Sequence, residues 1–362
     1  MSESATASAP AKTQPKAKKN RLSSGFFRFV LTRFLLIIPT VFILVTIVFF
    51  VMRATGDPIS AAMGGRLTPE ELQRRIHAAG YDRPLVVQYL DYLGGLLRGD
   101  LGTTLTDNQP VTTILTRYGA ATFELAFLSL IVALIVGIGL GRLAARRRDH
   151  AADAGIRVFA SLCYATPVFF LGLMLKLVFA VWLNVLPPSG RSSFASDMQF
   201  QRLVSPTGFY IIDAFQLGDM SVLVDVLRHA VLPALALGLL TAGVFIRLVR
   251  TNVISTYTSG YVEAARSRGV SEGRLLSKHA WRPAMIPIIT VMGMQIALML
   301  AGAVLTETTF EWKGLGFMLS QYLKQRDFVA VQGIVILIAI IVAVVNFIVD
   351  VISALIDPRV RY

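Results

Sequence analysis

Six stretches of this chain are long, apolar and almost free of charge, and each has to be kept out of water. Residues 34–52 carry no charge and are bracketed by Arg33 and Arg53. Between Arg117 and Arg142 the only charge is Glu124, and from Val158 to Gly190 it is Lys176. Residues 229–246, 283–306 and 328–349 carry no formal charge. A helix needs roughly 20 apolar residues to cross a bilayer. The pattern predicts six transmembrane helices, near residues 31–52, 119–141, 158–184, 229–249, 284–306 and 330–355. Only 16% of the residues are charged, against about 25% in a typical soluble domain. With a mean hydropathy of +0.63, the 362 residues read as one all-α polytopic membrane domain with tails, not as two soluble domains. The first stretch is longer than a signal-peptide core of about 7–15 residues, so it is expected to stay as an anchor.

Orientation follows from the placement of Lys and Arg. With the N-terminus inside, the inner segments (1–28, 142–157, 247–282 and 357–362) hold 20 Lys and Arg against 6 acids. The outer segments (54–118, 184–228 and 307–329) hold 12 against 14. The inside is then +14 and the outside −2, which places both termini in the cytoplasm. The basic balance therefore marks membrane orientation and does not point to nucleic acid. Residues 1–28, with Lys12, Lys16, Lys18, Lys19 and Arg21 among small polar residues, read as a disordered tail. Such a tail either touches anionic lipid or serves as a solvated topology signal.

The first outer segment is too long for a plain turn. Thr68-Pro69-Glu70-Glu71 has the order N-cap, N1 proline, then Glu at N3, which predicts a helix start with a capping box and an end near Gly80. Asp82-Arg83-Pro84 begins another helix, in which Leu85, Tyr89, Tyr92, Leu93 and Leu97 fall near one face. That face predicts packing on the membrane surface or on a partner, within a small extracytoplasmic cap. The second outer segment, with Pro187-Pro188-Ser189-Gly190, is expected to be loop with short helices.

The inner segment 250–283 is the most informative. Tyr261, Ala264, Ala265 and Arg268 share a helical face by their spacing, and Gly269 suits a helix end with positive φ. Ser271 stands where it can cap a second helix running through Leu275, Leu276 and His279. A short helix, a bend and a returning helix thus project inward, with small residues that allow close backbone approach. The flanking arginines are directional partners for carboxylates. Such an element suits docking into a groove on another protein.

At these residues the chain resembles a known family. Tyr261-Val-Glu-Ala-Ala-Arg-Ser-Arg-Gly269 is similar to the EAA loop of ABC-importer permeases, and the string through Lys278-His279-Ala280-Trp281-Arg282 to the dipeptide/oligopeptide branch. Asp82-Arg-Pro-Leu-Val-Val-Gln-Tyr89, Gly99-Asp-Leu-Gly102, Leu186-Pro187, Leu232-Pro233-Ala234-Leu235, Gly314-Leu-Gly316 and Asp357-Pro-Arg-Val-Arg-Tyr362 agree with that branch in order. The long first outer segment resembles its B-type subunit. Departures are Pro283 and Pro287 where the family has Ile-x-Leu-Pro, and Lys313 where the branch often has Pro.

The resemblance implies a type I ABC importer permease core of six helices in a bacterial inner membrane. It implies a second homologous permease subunit, two cytoplasmic ATPases and an extracytoplasmic substrate-binding protein as partners, besides membrane lipid. ATP and Mg would be held by the ATPases, and this chain would bind no cofactor. The implied division is a cap at 54–118 and a permease core at 119–356, with the coupling loop at 250–283. Glu263, Ala264, Ala265 and Gly269 are the implied coupling residues, joined by Tyr261, Arg266 and Arg268. The branch also includes permeases for nickel chelates and glutathione, which stand as the alternative solutes.

Other features have plainer readings. Gly137, Gly139 and Gly141 lie inside a predicted membrane helix, so close helix packing outweighs a nucleotide fingerprint. Gly293, Ala297 and Ala301 form a second small-residue stripe. Lys176 either lines the pathway or snorkels or pairs with another subunit. Asn346 and Asp350, four residues apart, are candidates for a pathway or inter-subunit seam, and Glu124 is expected to face headgroups. The chain has no GxxxxGK[ST] and no HExxH, and His77, His150, His229 and His279 fall on both membrane sides, so neither a P-loop nor a metal site is expected. An ion-coupled porter is disfavoured because the spans offer only Glu124 and Asp350, both off-centre. An intramembrane enzyme is disfavoured because no nucleophile–base pair emerges.

Overall fold

A computed structural model describes residues 22–356. The expected tails at 1–21 and 357–362 lie outside the described residues. The N-terminal assignment also changes within them, because residues 22–28 already belong to the first helix. That helix, α1 (Leu22–Ala54), is followed by three short outer helices, α2 (Pro58–Met63), α3 (Pro69–Ala78) and α4 (Leu85–Leu97). Next come α5 (Val111–Arg146), α6 (Ala151–Ala165) and α7 (Val168–Leu175), the last continuing as a π-helical turn over Lys176–Trp182. The second outer segment forms α8 (Phe194–Phe200) and α9 (Tyr210–Leu217), and α10 (Met220–Tyr257) returns across the membrane. The inner bend is α11 (Gly260–Ser267), α12 (Glu272–Arg274) and a π turn, Leu275–Ala280. The chain then runs through α13 (Trp281–Phe310), α14 (Leu315–Lys324) and α15 (Phe328–Ile356).

Five helices are long and apolar enough to span a membrane, and the α6–α7 pair supplies a sixth path if counted as one span. The third expected span is therefore not a straight rod. Its two halves are bent by 109° at Thr166-Pro167. The cause is local: a residue before proline is pushed out of the α region, and Thr166 sits at φ −80°, ψ 126°.

The core is built around α5 and α10, whose backbones approach where side chains are absent. A Cβ at Gly137 would lie 2.5 Å from the Phe245 Cβ, and one at Gly141 2.7 Å from the Val249 Cβ. Gly139 meets nothing, so the glycine run has one packed edge. On α13, Gly293 meets Val349 of α15, whereas Ala301 is exposed, so the second stripe narrows to Gly293. The first helix packs along α15 through the Phe34–Phe347 ring pair at 5.8 Å.

In the cap, Thr68 occupies the N-cap of α3 and accepts from the Glu71 amide at 3.4 Å, and Gly80 follows the helix with φ +68°. The expected stripe on α4 is split. Tyr89 and Tyr92 turn inward onto Phe49 (5.2 and 5.4 Å between ring centroids), but Leu85 and Leu97 are exposed. The inward face also contains Gln88, which the apolar pattern leaves out. Asp327, fully buried at the start of α15, accepts from the amides of Leu105 (2.6 Å) and Thr106 (2.9 Å) and ties the end of the cap to the last span.

Candidate functional site

The inner bend is rooted in the core and presents a small exposed surface. Leu275 is fully buried, and Leu276 and Trp281 pack against Ala145, Val249, Val253, Ala284 and Ile288. Val262 pins α11 from below with no exposed area. Above it Tyr261, Glu263, Ala264, Arg268 and Gly269 are exposed, while Ala265 and Arg266 are half-buried. The expected face is present, with Ala265 at its edge. Gly269 closes the helix at φ +78°, where its amide donates to the Arg266 carbonyl at 2.9 Å.

Arg266 turns back instead of outward. Its guanidinium meets Glu272 at 2.8 Å and lies 5.0 Å above the Tyr257 ring, whose hydroxyl also donates to Glu272. The Arg266 hydrogen bond, seconded by that of Tyr257, holds the Glu272 carboxyl below its ordinary value, and the same bridge raises the Arg266 value. Ser271 stands at the N-cap position of α12, but its side chain makes no capping bond; its carbonyl accepts from the Leu275 amide at 3.0 Å. Tyr261 reaches across the bend and donates to the His279 carbonyl at 3.3 Å. Nearby, buried Asp153 accepts from the Nε and Nη2 of Arg250 at 2.6 and 2.7 Å, clamping α6 to the inner part of α10. The only sequence signal for that clamp is an acid standing among the basic residues of segment 142–157.

A second polar centre lies at the other end of the bundle. Glu124 does not face headgroups. It is buried, pairs with the Arg191 Nη2 at 2.5 Å and accepts from the Ile211 amide at 2.8 Å. Its place on the packed side of α5, next to the returning outer loop, overturns the expectation from span position. Arg191 also donates to the Gly208 carbonyl at 2.9 Å and stacks on Tyr210, 3.7 Å from its ring centroid. Close by, fully buried Glu307 accepts from Thr122 (2.6 Å) and from the Phe317 amide (2.9 Å). A Cβ at Gly314 would lie 2.4 Å from that carboxylate, so the Gly314-Leu-Gly316 turn wraps Glu307 closely. Beside this hub an open cavity of about 640 Å³ is lined by Arg117, Arg191, Asp197, Tyr210, Glu311 and Lys313, among others. Sequence reasoning misses the hub because its partners are up to 193 positions apart, as in the Leu315 amide to Thr122 bond.

The remaining candidates are scattered. Lys176 donates to the Thr309 carbonyl at 2.9 Å and lies 5.7 Å from the Phe310 ring centroid, so it caps the last turn of α13. Asp350 pairs with Arg33 at 3.3 Å within the chain, and Asn346 is exposed one turn earlier. Among the described residues no group of three or more His, Cys, Asp or Glu is placed to hold a metal ion.

Long apolar helices around a tight α5–α10 core, with an exposed bend returning from α10 to α13, define a polytopic membrane protein. Residues 137–362 match the family described as binding-protein-dependent transport system inner membrane component, and residues 26–125 match the corresponding N-terminal family. The chain belongs to this family of multi-pass inner-membrane transport permeases. It is 37% identical over 336 residues to the di/tripeptide transport system permease protein DppB of Pseudomonas aeruginosa, covering 92% of this chain and 98% of that one. It is 37% identical over 338 residues to the dipeptide transport system permease protein DppB of Escherichia coli K12, covering 92% and 99%. The probable D,D-dipeptide transport system permease protein DdpB of the same organism is 35% identical over 305 residues, 84% of this chain and 88% of the relative.

Proposed function

We propose that this chain forms half of the translocation pathway of an ATP-driven importer of dipeptides or short oligopeptides. The substrate class rests on the peptide names of its relatives. The coupling role rests on one observation: an exposed, small-sided helix, α11, standing on a buried root between two membrane helices. In this reading the bend faces the cytoplasm, as do both termini, in keeping with the excess of Lys and Arg on that side. A second, homologous permease subunit completes the pathway, and an extracytoplasmic binding protein delivers the peptide. Two cytoplasmic ATPases hold ATP and Mg; this chain itself holds no cofactor.

The mechanics follow from the packing. A partner gripping Tyr261, Glu263, Ala264, Ala265, Arg268 and Gly269 pulls on a bend whose root is shared by α5, α10 and α13. The Arg266–Glu272–Tyr257 cluster stiffens that bend, so Arg266 acts by shaping the docking surface. A helix of 38 residues such as α10 is about 57 Å long, so it links the inner bend to the outer end of the bundle, with Pro233 inside it as a point where the helix can flex. Closure of the ATPases then biases an inward-open against an outward-open state.

The test is Ala264→Trp in the assembled transporter. The bulky ring blocks close approach without touching the buried root. The expected result is normal membrane insertion with loss of the ATPase subunits on purification and loss of labelled dipeptide uptake. Retention of the ATPases with undiminished ATP-driven uptake overturns the docking reading. Retained ATPases in a wild-type transporter that takes up no peptide overturn the substrate reading alone.

A further inference from the structure

The cap helix α4 carries an apolar face that the transport reading leaves unused. Its sequence, LVVQYLDYLGGLL, contains one charge, Asp91, and that charge is paired with Arg83 at 2.7 Å. The Gln88 amide is spent inward. Its Nε2 donates to the carbonyls of Tyr81 (2.9 Å) and Arg83 (2.8 Å), and its Oε1 accepts from the Arg53 Nε at 2.9 Å. Tyr89 shares a hydrogen bond with Thr46 of α1 at 2.6 Å. On the opposite side, Val86, Leu90, Leu93 and Leu97 follow an i, i+4, i+7, i+11 spacing and so form one strip. Val86 is 67% exposed, Leu90 61% and Leu97 90%.

The height of α4 beside α1 says what covers that strip. Arg33 and Arg53 bracket the uncharged run of α1 and mark the two edges of the hydrocarbon. Thr46 lies seven residues inside Arg53, about 10 Å along the helix axis. Contacts from α4 reach Thr46, Phe49, Phe50 and Arg53, all within the last turns of the span. Phe50, itself exposed on α1, sits 5.5 Å from the Tyr89 ring, so the apolar band of the span continues onto α4. A helix at this height is level with the acyl chains next to the headgroups, out of reach of a water-soluble partner.

We propose that α4 is an interfacial helix lying in the leaflet edge, with Val86, Leu90, Leu93 and Leu97 covered by lipid acyl chains. The cap is then a membrane-embedded collar beside the first span. The orphan strip and the inward-turned polar atoms have one cause: the helix has hydrocarbon on one side and protein on the other.

The test uses the complete transporter in nanodiscs of phosphatidylethanolamine and phosphatidylglycerol. Cys163 is the only cysteine of this chain, so Cys163→Ala, combined with partner subunits whose own cysteines have been replaced, gives a clean background for nitroxide labels at Val86→Cys, Leu90→Cys and Leu97→Cys, with Arg74→Cys on α3 as the aqueous reference. The expected result is a ratio of oxygen to nickel-chelate collisions several-fold higher at positions 86, 90 and 97 than at 74. Strong nickel-chelate access at these positions means the cap stands in water and overturns the proposal. Poor access to both probes means that protein, such as a second permease subunit, covers the strip, and overturns it equally. The unsubstituted transporter gives an independent reading. A phospholipid with a diazirine in its acyl chain should label residues 85–97 together with 42–51, and labelling of 42–51 alone counts against the proposal.

Discussion

Removing one partner of the Glu124–Arg191 pair probes the outer hub directly. Arg191→Met takes away the guanidinium that meets Glu124 at 2.5 Å and leaves a carboxylate that is only 4% exposed. Stranding one member of a buried ion pair costs about 3–5 kcal/mol, because the remaining charge keeps its desolvation penalty without its partner. The Gly208 carbonyl also loses its donor, worth about 1 kcal/mol net. Loss of the stack on Tyr210 adds about 0.5–2 kcal/mol. Glu124→Gln strands the cation instead and is expected to cost about 3 kcal/mol, near the lower end of that range. The double variant removes both charges, so it should be more stable than the two single costs predict by about 2–3 kcal/mol, the upper range for residues in contact. The measurement is denaturant-induced unfolding of the purified protein at fixed detergent, read by tryptophan fluorescence, since Trp312 lies 5.4 Å from the same guanidinium. Hydrogen exchange should rise first over residues 190–217. A single-variant cost below about 1 kcal/mol, as for an exposed pair, or strict additivity in the double variant, refutes the buried-hub reasoning.

Two further outcomes follow from other parts of the fold. Gly137→Ala should destabilise the bundle by about 1–3 kcal/mol, because its new methyl meets the Phe245 Cβ at 2.5 Å, whereas Gly139→Ala, two residues away in open space, should be neutral or slightly stabilising in the same unfolding assay. The Glu272 carboxyl is held below the ordinary glutamate value near 4.5, so its tie to Arg266 and Tyr257 is fully present above that pH and is lost as pH falls through the depressed value. The protection of the amides over residues 260–274, measured as the exchange rate relative to the intrinsic rate at the same pH, should therefore fall as the pH drops through that depressed value. Glu272→Gln should show the faster exchange already at neutral pH and lose the acid-side change, and an unaltered pH profile in that variant counts against the cluster.

The spans are legible in the sequence because excluding charge from hydrocarbon writes uncharged runs directly between residues such as Arg33 and Arg53. The inner bend is legible for a local reason too: the Ala264, Ala265 and Gly269 pattern acts over one or two turns, and Gly269 adopts the positive φ that its position demands. Three features escape that reading. Pro167 marks a break in the third span, but neither the length nor the hydropathy of the run carries the 109° angle between its halves. The role of Arg266 depends on Glu272 and Tyr257 rather than on its neighbours in sequence. The hub depends on Glu124 finding Arg191 across 67 positions, and neither residue carries a local mark of that pairing. Amphipathic side chains cause a further miss. Tyr89 and Tyr92 count as apolar in a helical pattern with Leu85 and Leu97, yet Tyr89 meets α1 through its hydroxyl, bonded to Thr46, and Tyr92 through its ring, stacked on Phe49.

Asp327 has a consequence for how the molecule comes into being. The amides of Leu105 and Thr106 are bonded by a carboxylate made 222 and 221 residues later. Arg33 likewise waits for Asp350. At a synthesis rate of about 5–20 residues per second, the first span and its collar emerge tens of seconds before the helix that anchors them exists. The segment from α1 to α4 must therefore persist in the bilayer as an unfinished piece until α15, made long after it, locks α1 into place.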